Sequence, residues 1–147
     1  MKKILMMCVV ALAMIACDDK EAGVEKPDVL TVKQSGETVY TDNEVTWRIV
    51  PSVATVTPAL YDLHMDGTRF VEAMPMLDME VLDLANQHVK PEEHFLHEAE
   101  SVVPSIKGNP MPRYTLTNFR CEVTNWEVLK VSFTCVGYDV TYVKNLY

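Results

Sequence analysis

Three histidines in one acidic stretch form the pattern in this sequence that is best suited to hold a metal ion. His94 and His97 stand three residues apart, and His88 lies six residues upstream of His94. Side chains three apart share one face of a helix, so a short helix over residues 91–100 would bring both imidazoles together. Catalytic zinc takes three protein ligands and structural zinc takes four, and the stretch lacks an HExxH arrangement. A solvated acidic helix face is the favoured interpretation, and a metal-binding protein using these three histidines is the alternative.

Two cysteines, Cys121 and Cys135, fall on segments that are expected to be neighbouring strands. An oxidising envelope allows a disulfide between them. A tight turn centred on residues 125–126 pairs Cys121 with Lys130, so direct opposition of the two cysteines requires a longer loop or a bulge. Two buried thiols acting as small apolar side chains are the alternative. No histidine lies near either cysteine in the sequence, so neither is expected to be a nucleophile.

Methionines and aromatic residues supply a candidate lining for an apolar ligand. Flexible thioethers suit adaptable cavities, but they also fill irregular spaces in ordinary cores, which is the favoured interpretation here. Buried aromatic side chains likewise serve mostly as core mass. The candidate lining residues are Met65, Phe70, Met79, Phe133 and Tyr138.

The sequence lacks the remaining patterns that mark enzymes and nucleic acid binders. It contains no GxSxG elbow and no glycine-rich phosphate loop,. We therefore predict no catalytic residue, no cofactor and no enzymatic activity. The 147 residues include 13 Lys and Arg against 21 Asp and Glu, which gives a net charge of −8. Binding to phosphates requires a basic surface, so nucleic acid is not an expected partner.

The N-terminus carries a targeting segment. Lys2 and Lys3 precede an apolar run over residues 4–15, which is too short to cross a bilayer as a stable helix,. The letters MIAC at residues 14–17 resemble a bacterial lipobox, in which the cysteine is acylated and becomes the mature N-terminus. Several acyl chains on Cys17 give stable membrane anchoring. An ordinary cleaved signal peptide, with Cys17 left as a free thiol, is the alternative.

The residues that follow Cys17 indicate a destination. The acidic letters DDKE at residues 18–21 resemble the export signal of surface lipoproteins in Bacteroides-type bacteria. The resemblance implies a lipid-anchored protein of the outer membrane that faces the cell surface, and attachment at the periplasmic face is the alternative. Residues 1–16 are thus predicted to be the signal peptide. Residues 17–36, which mix charges, Gly, Pro and Ser with only scattered Val and Leu, are predicted to be the acylated Cys and a flexible acidic linker,.

Residues 37–147 are predicted to form one β-rich domain, because Val and Thr are abundant and Gly is scarce,. Asp66-Gly67 favours a two-residue hairpin turn that would set Leu63 opposite Phe70. In the last predicted strand, which ends at residue 143, Val131, Phe133 and Cys135 share one face, and a bulge at Val136-Gly137 would place Tyr138, Val140 and Tyr142 on the same inward side. Residues 86–112 show no strand pattern and are predicted to be one long loop, which contains the short helix over residues 91–100.

Three stretches resemble a family of small lipoproteins from Bacteroides-type bacteria that are described as calycin-like β-barrel proteins. The similarity covers roughly residues 45–142. It is carried by LHMDGTRF at 63–70 running on to MPMLDM at 74–79, VVP at 102–104, and NPMPRYTLTNF at 109–119. The resemblance implies an all-β fold, an antiparallel calycin-like or lipocalin-like β-barrel of about eight strands, whose interior is either filled or holds a small apolar ligand.

The sequence therefore predicts a non-enzymatic, membrane-anchored lipoprotein. Its expected role is to bind a small hydrophobic ligand or a protein partner in the envelope. A metal-binding protein and a structural or adhesive surface component are the alternatives. Fold analogy by itself assigns no ligand, so these functions stay expectations.

Overall fold

The computed structural model describes residues 29–52 and 60–146, which form two antiparallel β-sheets. In chain order the strands are β1 (Val29–Gln34), β2 (Glu37–Asp42), β3 (Arg48–Pro51), β4 (Leu60–Thr68), β5 (Leu77–Ala85), β6 (Phe95–Val102), β7 (Ser105–Ile106), β8 (Asn109–Pro110), β9 (Leu116–Thr124), β10 (Val128–Cys135) and β11 (Tyr138–Asn145). A 3₁₀ turn, Pro112–Tyr114, precedes β9. The six-stranded sheet has the order β2-β1-β11-β10-β9-β6, and the five-stranded sheet has the order β3-β4-β5-β7-β8.

The hydrophobic core consists of alternate side chains from strands of both sheets. On β10, Leu129, Val131 and Phe133 are buried, whereas the residues between them are more exposed, as the period of a half-buried strand requires,. Trp47 is a fully buried member of the core. Its ring stacks on Tyr142 with a centroid distance of 4.7 Å and on Phe133 at 6.2 Å.

The folded part begins earlier than predicted. The expected linker over residues 17–36 contains β1, which pairs with β2 on one side and with β11 on the other. Leu30 and Val32 of β1 are fully buried, so the alternation of Val29, Leu30, Thr31 and Val32 is that of a strand inside a sheet. Cys17 and the predicted signal peptide lie outside the described residues.

The last predicted strand is two strands joined by a turn. Cys135 on β10 pairs with Tyr138 on β11, and Val136 and Gly137 form the two-residue turn between them, with φ values of 52° and 83°. The predicted bulge at this position is therefore wrong. The inward-facing positions change from odd-numbered to even-numbered residues after Cys135 because the chain reverses there. The reversal brings Cys135 and Tyr138 to facing positions.

The Asp66-Gly67 pair makes a bulge and not a hairpin turn. β4 continues through it, and its register with β5 shifts between Met65 and Thr68. Leu63 consequently faces Val81 and not Phe70. The loop that returns the chain to β5 follows after Thr68.

The predicted loop over residues 86–112 contains three strands, β6, β7 and β8. The helix predicted over residues 91–100 is wrong, because β6 pairs along its length with β9, from Phe95 opposite Val123 to Val102 opposite Leu116. Pairing with a neighbouring strand outweighs the helix preference of Leu, Ala and Glu in this segment.

The prediction of an all-β antiparallel fold is confirmed. No ladder joins the two sheets within residues 29–52 and 60–146. In the same ranges no helix is long and apolar enough to span a bilayer.

Candidate functional site

An open groove of about 600 Å³ runs along β2 at the edge of the six-stranded sheet. One wall is β2 with the turn that follows it, and the other is the connection between β4 and β5. The lining residues are Thr38, Val39, Tyr40, Thr41, Asp42, Asn43, Glu44, Arg69, Glu72 and Met76. A second hollow of about 330 Å³ shares Asp42, Glu44 and Met76 with the groove and extends it towards Gly67.

A chain of hydrogen bonds fixes the two walls of the groove to each other. Arg69 Nε donates to the Tyr40 hydroxyl at 2.9 Å, and that hydroxyl donates to Asp42 Oδ2 at 3.0 Å. Asp42 Oδ1 accepts the backbone N–H groups of Glu44 and Val45 at 2.8 and 3.2 Å. The Arg69 guanidinium also lies 5.6 Å from the centroid of the Tyr40 ring,. The groove therefore has a preformed shape.

The groove is acidic overall. Arg69 is the cationic residue in its lining, against the carboxylates of Asp42, Glu44 and Glu72. The hydrogen bond to Tyr40 and the nearby negative charges raise the pKa of Arg69, so it stays protonated at any physiological pH. Asp42 is engaged as a turn cap. Glu44 and Glu72 are exposed, and within the described ranges neither carboxylate forms an ion pair.

The first half of the opposite edge of the same sheet is covered by the chain itself. Asn86 and Gln87, directly after β5, bond to the backbone of β6. Leu96 N donates to Asn86 Oδ1 at 3.1 Å, and Gln87 N donates to Leu96 O at 2.7 Å. The Gln87 side chain accepts from Glu98 N at 3.0 Å and donates to Glu98 O at 3.3 Å.

The three candidate metal-binding histidines belong to this covered edge. His94 Nδ1 accepts the backbone N–H of Asn125 at 3.0 Å, and His88 Nδ1 accepts that of Lys90 at 2.9 Å. A neutral imidazole whose Nδ1 accepts a hydrogen bond carries its proton on Nε2, so neither ring offers a free lone pair to a metal. His97 lies within β6 and donates from Nδ1 to the Ala85 carbonyl at 2.9 Å.

The structure brings two of these histidines together and separates the third. The rings of His88 and His94 lie 4.5 Å apart between centroids, whereas His97 packs edge-on against Phe119. Across residues 29–52 and 60–146, no group of three or more His, Cys, Asp or Glu side chains could hold a metal ion. The chain's own backbone groups account for the geometry of these rings.

Cys121 and Cys135 are free, buried thiols. The turn between β9 and β10 has three residues and not two, so Cys121 faces Val131, four positions from Cys135. That offset corresponds to about 13 Å along a strand, whereas a disulfide needs Cα atoms about 4.4 to 6.8 Å apart. This fold therefore does not form the candidate disulfide, and the two residues are buried thiols, as in the alternative interpretation. Burial raises the pKa of Cys121 to about 12 and that of Cys135 to about 11.

The residues predicted to line an apolar ligand site are packed in or against the core. Met65, Phe70, Met79 and Phe133 are at most 3% exposed. Phe70 packs edge-on against Phe133, with a centroid distance of 6.5 Å, and lies 5.8 Å from the half-buried Tyr138. These five residues lie apart from the lining of the acidic groove.

Sequence reasoning missed Tyr40 and Arg69. The sequence signal that could have placed Tyr40 on a strand was the Ser35-Gly36 pair. It stands between two runs of alternating residues, which is typical of a hairpin,. Both residues have positive φ, 54° and 82°, as a tight hairpin turn requires,. Arg69 could not be assigned to the same site, because it follows β4 and reaches β2 only through the tertiary fold.

Comparison with known proteins adds no relatives: the chain matches no family model, no curated protein sequence and no solved structure.

Proposed function

We propose that this chain is a lipid-anchored, non-enzymatic binding module of the outer membrane that holds an envelope partner in the groove along β2. The observation that carries the proposal is the contrast between a preformed open groove and a packed interior. Hydrogen bonds among Arg69, Tyr40 and Asp42 fix the two walls of the groove to each other. The predicted ligand-lining residues, by contrast, contact one another and other core side chains.

The chemistry of the groove supports binding rather than catalysis. Its polar groups are a guanidinium engaged with a phenol, a capping carboxylate, and exposed carboxylates. Neither a nucleophile with its base nor an acid in an apolar pocket is found among the lining residues,. The hydrogen-bonding capacity of such a surface is suited to hold a polar or charged segment of another protein.

The location rests on the sequence. The lipobox-like letters and the acidic residues after Cys17 support acylation and display at the cell surface, with the periplasmic face as the alternative. The resemblance to calycin-like lipoproteins agrees with this placement and supports a barrel-like closure of the two sheets. Mass spectrometry of the protein extracted from its native membrane tests the anchor. A diacylglyceryl group on Cys17 is expected, and an unmodified thiol on a secreted form would contradict it.

Photo-crosslinking in intact cells tests the binding face. A photoreactive residue replaces Val39 in the groove or Leu82 on β5, which is equally exposed at 43% but lies outside the groove lining. We expect Val39 to give a covalent adduct with one envelope protein, identified by mass spectrometry, and Leu82 to give none. Identical adducts from both positions, or none from Val39, would contradict the proposed function.

Binding of a small apolar ligand in the interior is a second candidate, favoured by one observation. Trp47 Nε1 is buried and has no hydrogen-bond partner within the described ranges. An apolar molecule with one acceptor atom would satisfy this donor. Native mass spectrometry of the extracted protein should then show a co-purifying lipid that is lost in the Trp47→Phe variant. A parent protein that carries no such molecule rules this candidate out.

A further inference from the structure

The free side of β2 is the most accessible sheet edge within residues 29–52 and 60–146. There, β2 is hydrogen-bonded to β1 alone. On the other edge of this sheet, Asn86 and Gln87 bond to the backbone of Leu96 and Glu98 and so cover the first half of β6. The edges of the five-stranded sheet are short, with four residues in β3 and two in β8. An edge strand presents unpaired N–H and C=O groups, and short or covered edges bind another strand poorly.

The size and shape of the groove suit an extended chain. β2 has six residues, which corresponds to about 20 Å,. The groove follows it from Thr38 to Asp42, with Glu72 and Met76 on the facing wall. Val39 is the extra residue of a bulge and is 43% exposed, and Met76 is 58% exposed. An added strand would therefore meet apolar side chains from both walls.

The charges of the groove determine whether a bound segment is acidic or basic. Glu44 and Glu72 are exposed carboxylates without an ion pair among the described residues, and Asp42 lies between Tyr40 and the turn. The one guanidinium, Arg69, already donates to the Tyr40 hydroxyl and to the Glu72 carbonyl. An acidic segment would face like charges, which disfavours binding, whereas a basic segment would be complementary.

We infer that the occupant of the groove is an extended cationic segment of a partner protein, which adds to the free side of β2 as a further strand. Main-chain hydrogen bonds to β2 give the affinity, as in other cases of strand addition. Basic side chains of the segment pair with Glu44 and Glu72, and its apolar side chains contact Val39 and Met76. This inference rests on the proposed function and names the chemistry of the partner.

Hydrogen exchange of the full chain, extracted in detergent, tests the inference with a synthetic peptide in which lysine and valine alternate. We expect the peptide to slow amide exchange in Glu37–Asp42 and to leave β6 unchanged. A peptide in which glutamate replaces lysine should give no protection. A third version, N-methylated on every residue, should also fail, because it keeps the charge but has no backbone N–H group to donate to the carbonyls of β2.

Charge variants supply the second arm of the test. The double variant Glu44→Gln, Glu72→Gln should bind the lysine peptide about tenfold more weakly at low salt, as expected for two exposed ion pairs. The matched control Glu92→Gln, Glu127→Gln changes the net charge equally, at exposed positions outside the groove lining. The control should bind like the parent, and added salt should weaken binding to the parent.

Four results would overturn the inference. They are equal protection by the glutamate peptide, protection that maps to β6 or β8, full binding of the N-methylated peptide, and no protection of β2 by any peptide. The proposed function is judged separately by crosslinking at Val39. An adduct at Val39 together with unprotected β2 amides would keep the function and discard strand addition.

Discussion

The two edges of the six-stranded sheet end in different ways. At β6, the side chains of Asn86 and Gln87 bond to the backbone of Leu96 and Glu98. At β2, no strand or amide side chain of the described residues takes that place, and an acidic groove with a fixed shape lies alongside. Because both edges belong to one sheet, the difference between them comes from the segments that lie beside them and not from the strands that separate them.

The difference between the two edges indicates which of them is accessible to a partner protein. Proteins protect exposed edges because an unpaired strand invites association. Here the protection is concentrated at β6, where His94 and His97 also fasten the covering segment, through Asn125 and Ala85 respectively. The histidines that resembled metal ligands therefore contribute to closing one edge. The open edge at β2 is the surface that the proposed function uses.

The largest effect is expected from opening the closed edge. In Asn86→Ala, the side chain loses bonds to His88 N, Leu96 N and the His94 carbonyl, at 2.9, 3.1 and 2.8 Å. At about 1 kcal/mol per bond, we expect the free energy of unfolding to fall by about 3 kcal/mol in urea titrations. The control Asn145→Ala removes an exposed amide at the end of β11. A loss no greater than in the control would contradict the account of the β6 edge.

The Cys121 thiol, in the interior of the sheet, gives a reference for the unfolding free energy that does not depend on either edge. Burial raises the pKa of Cys121 to about 12. Its protonated form is favoured in the folded state, so its contribution to stability is complete below the pKa of the unfolded thiol, near 9.0. The contribution is lost as the pH rises towards 12, by about 1.4 kcal/mol per pH unit.

We expect Cys121→Ala to be less stable at neutral pH, but to show a shallower decline of the unfolding free energy between pH 9 and 11 than the parent. Urea titrations at several pH values measure both. Parallel declines in the two proteins would show that the Cys121 thiol is not buried as described. Alkylation mapped by mass spectrometry should also leave Cys121 unmodified at pH 8 until the protein unfolds.

A smaller loss is expected at the open edge. Tyr40→Phe keeps the ring beside Arg69 but removes the hydroxyl that joins Arg69 to Asp42. These bonds are partly exposed, so we expect a loss of about 1 kcal/mol in unfolding free energy, well below that of Asn86→Ala. Binding at the groove should also weaken. Tyr138→Phe, which removes a hydroxyl without a hydrogen-bond partner among the described residues, is the control and should change stability little.

The sequence predicted the fold correctly where polar and apolar residues alternate strongly, and incorrectly where the conformation of a turn determines the pairing of strands. The inward positions Val131, Phe133 and Cys135 followed from the pattern and are buried. Val136 misled the interpretation, because a β-branched residue rarely adopts φ of 52° and so did not suggest a hairpin turn,. β6 was missed because an edge strand with polar residues on both sides lacks a clear period.

The candidate site was less predictable than the fold. The groove depends on Arg69 reaching Tyr40, 29 positions away in the chain, and no local pattern encodes such a contact. The same limit explains why the spacing of the three histidines was misleading. Their spacing fits a shared helix face, but the ladder between β6 and β9 sets their positions instead. Residue types indicated the chemistry that was available, whereas the ladders determined which groups meet.

Hydrogen exchange of both edges, measured in native membranes and again after purification, tests the central claim most directly. The account predicts slow exchange in Glu37–Asp42 while the partner is present and fast exchange after purification, with Leu96 and Glu98 protected equally in both preparations. Equal exchange of β2 in the two preparations, or a change confined to β6, would contradict the claim that β2 is the edge completed by a partner.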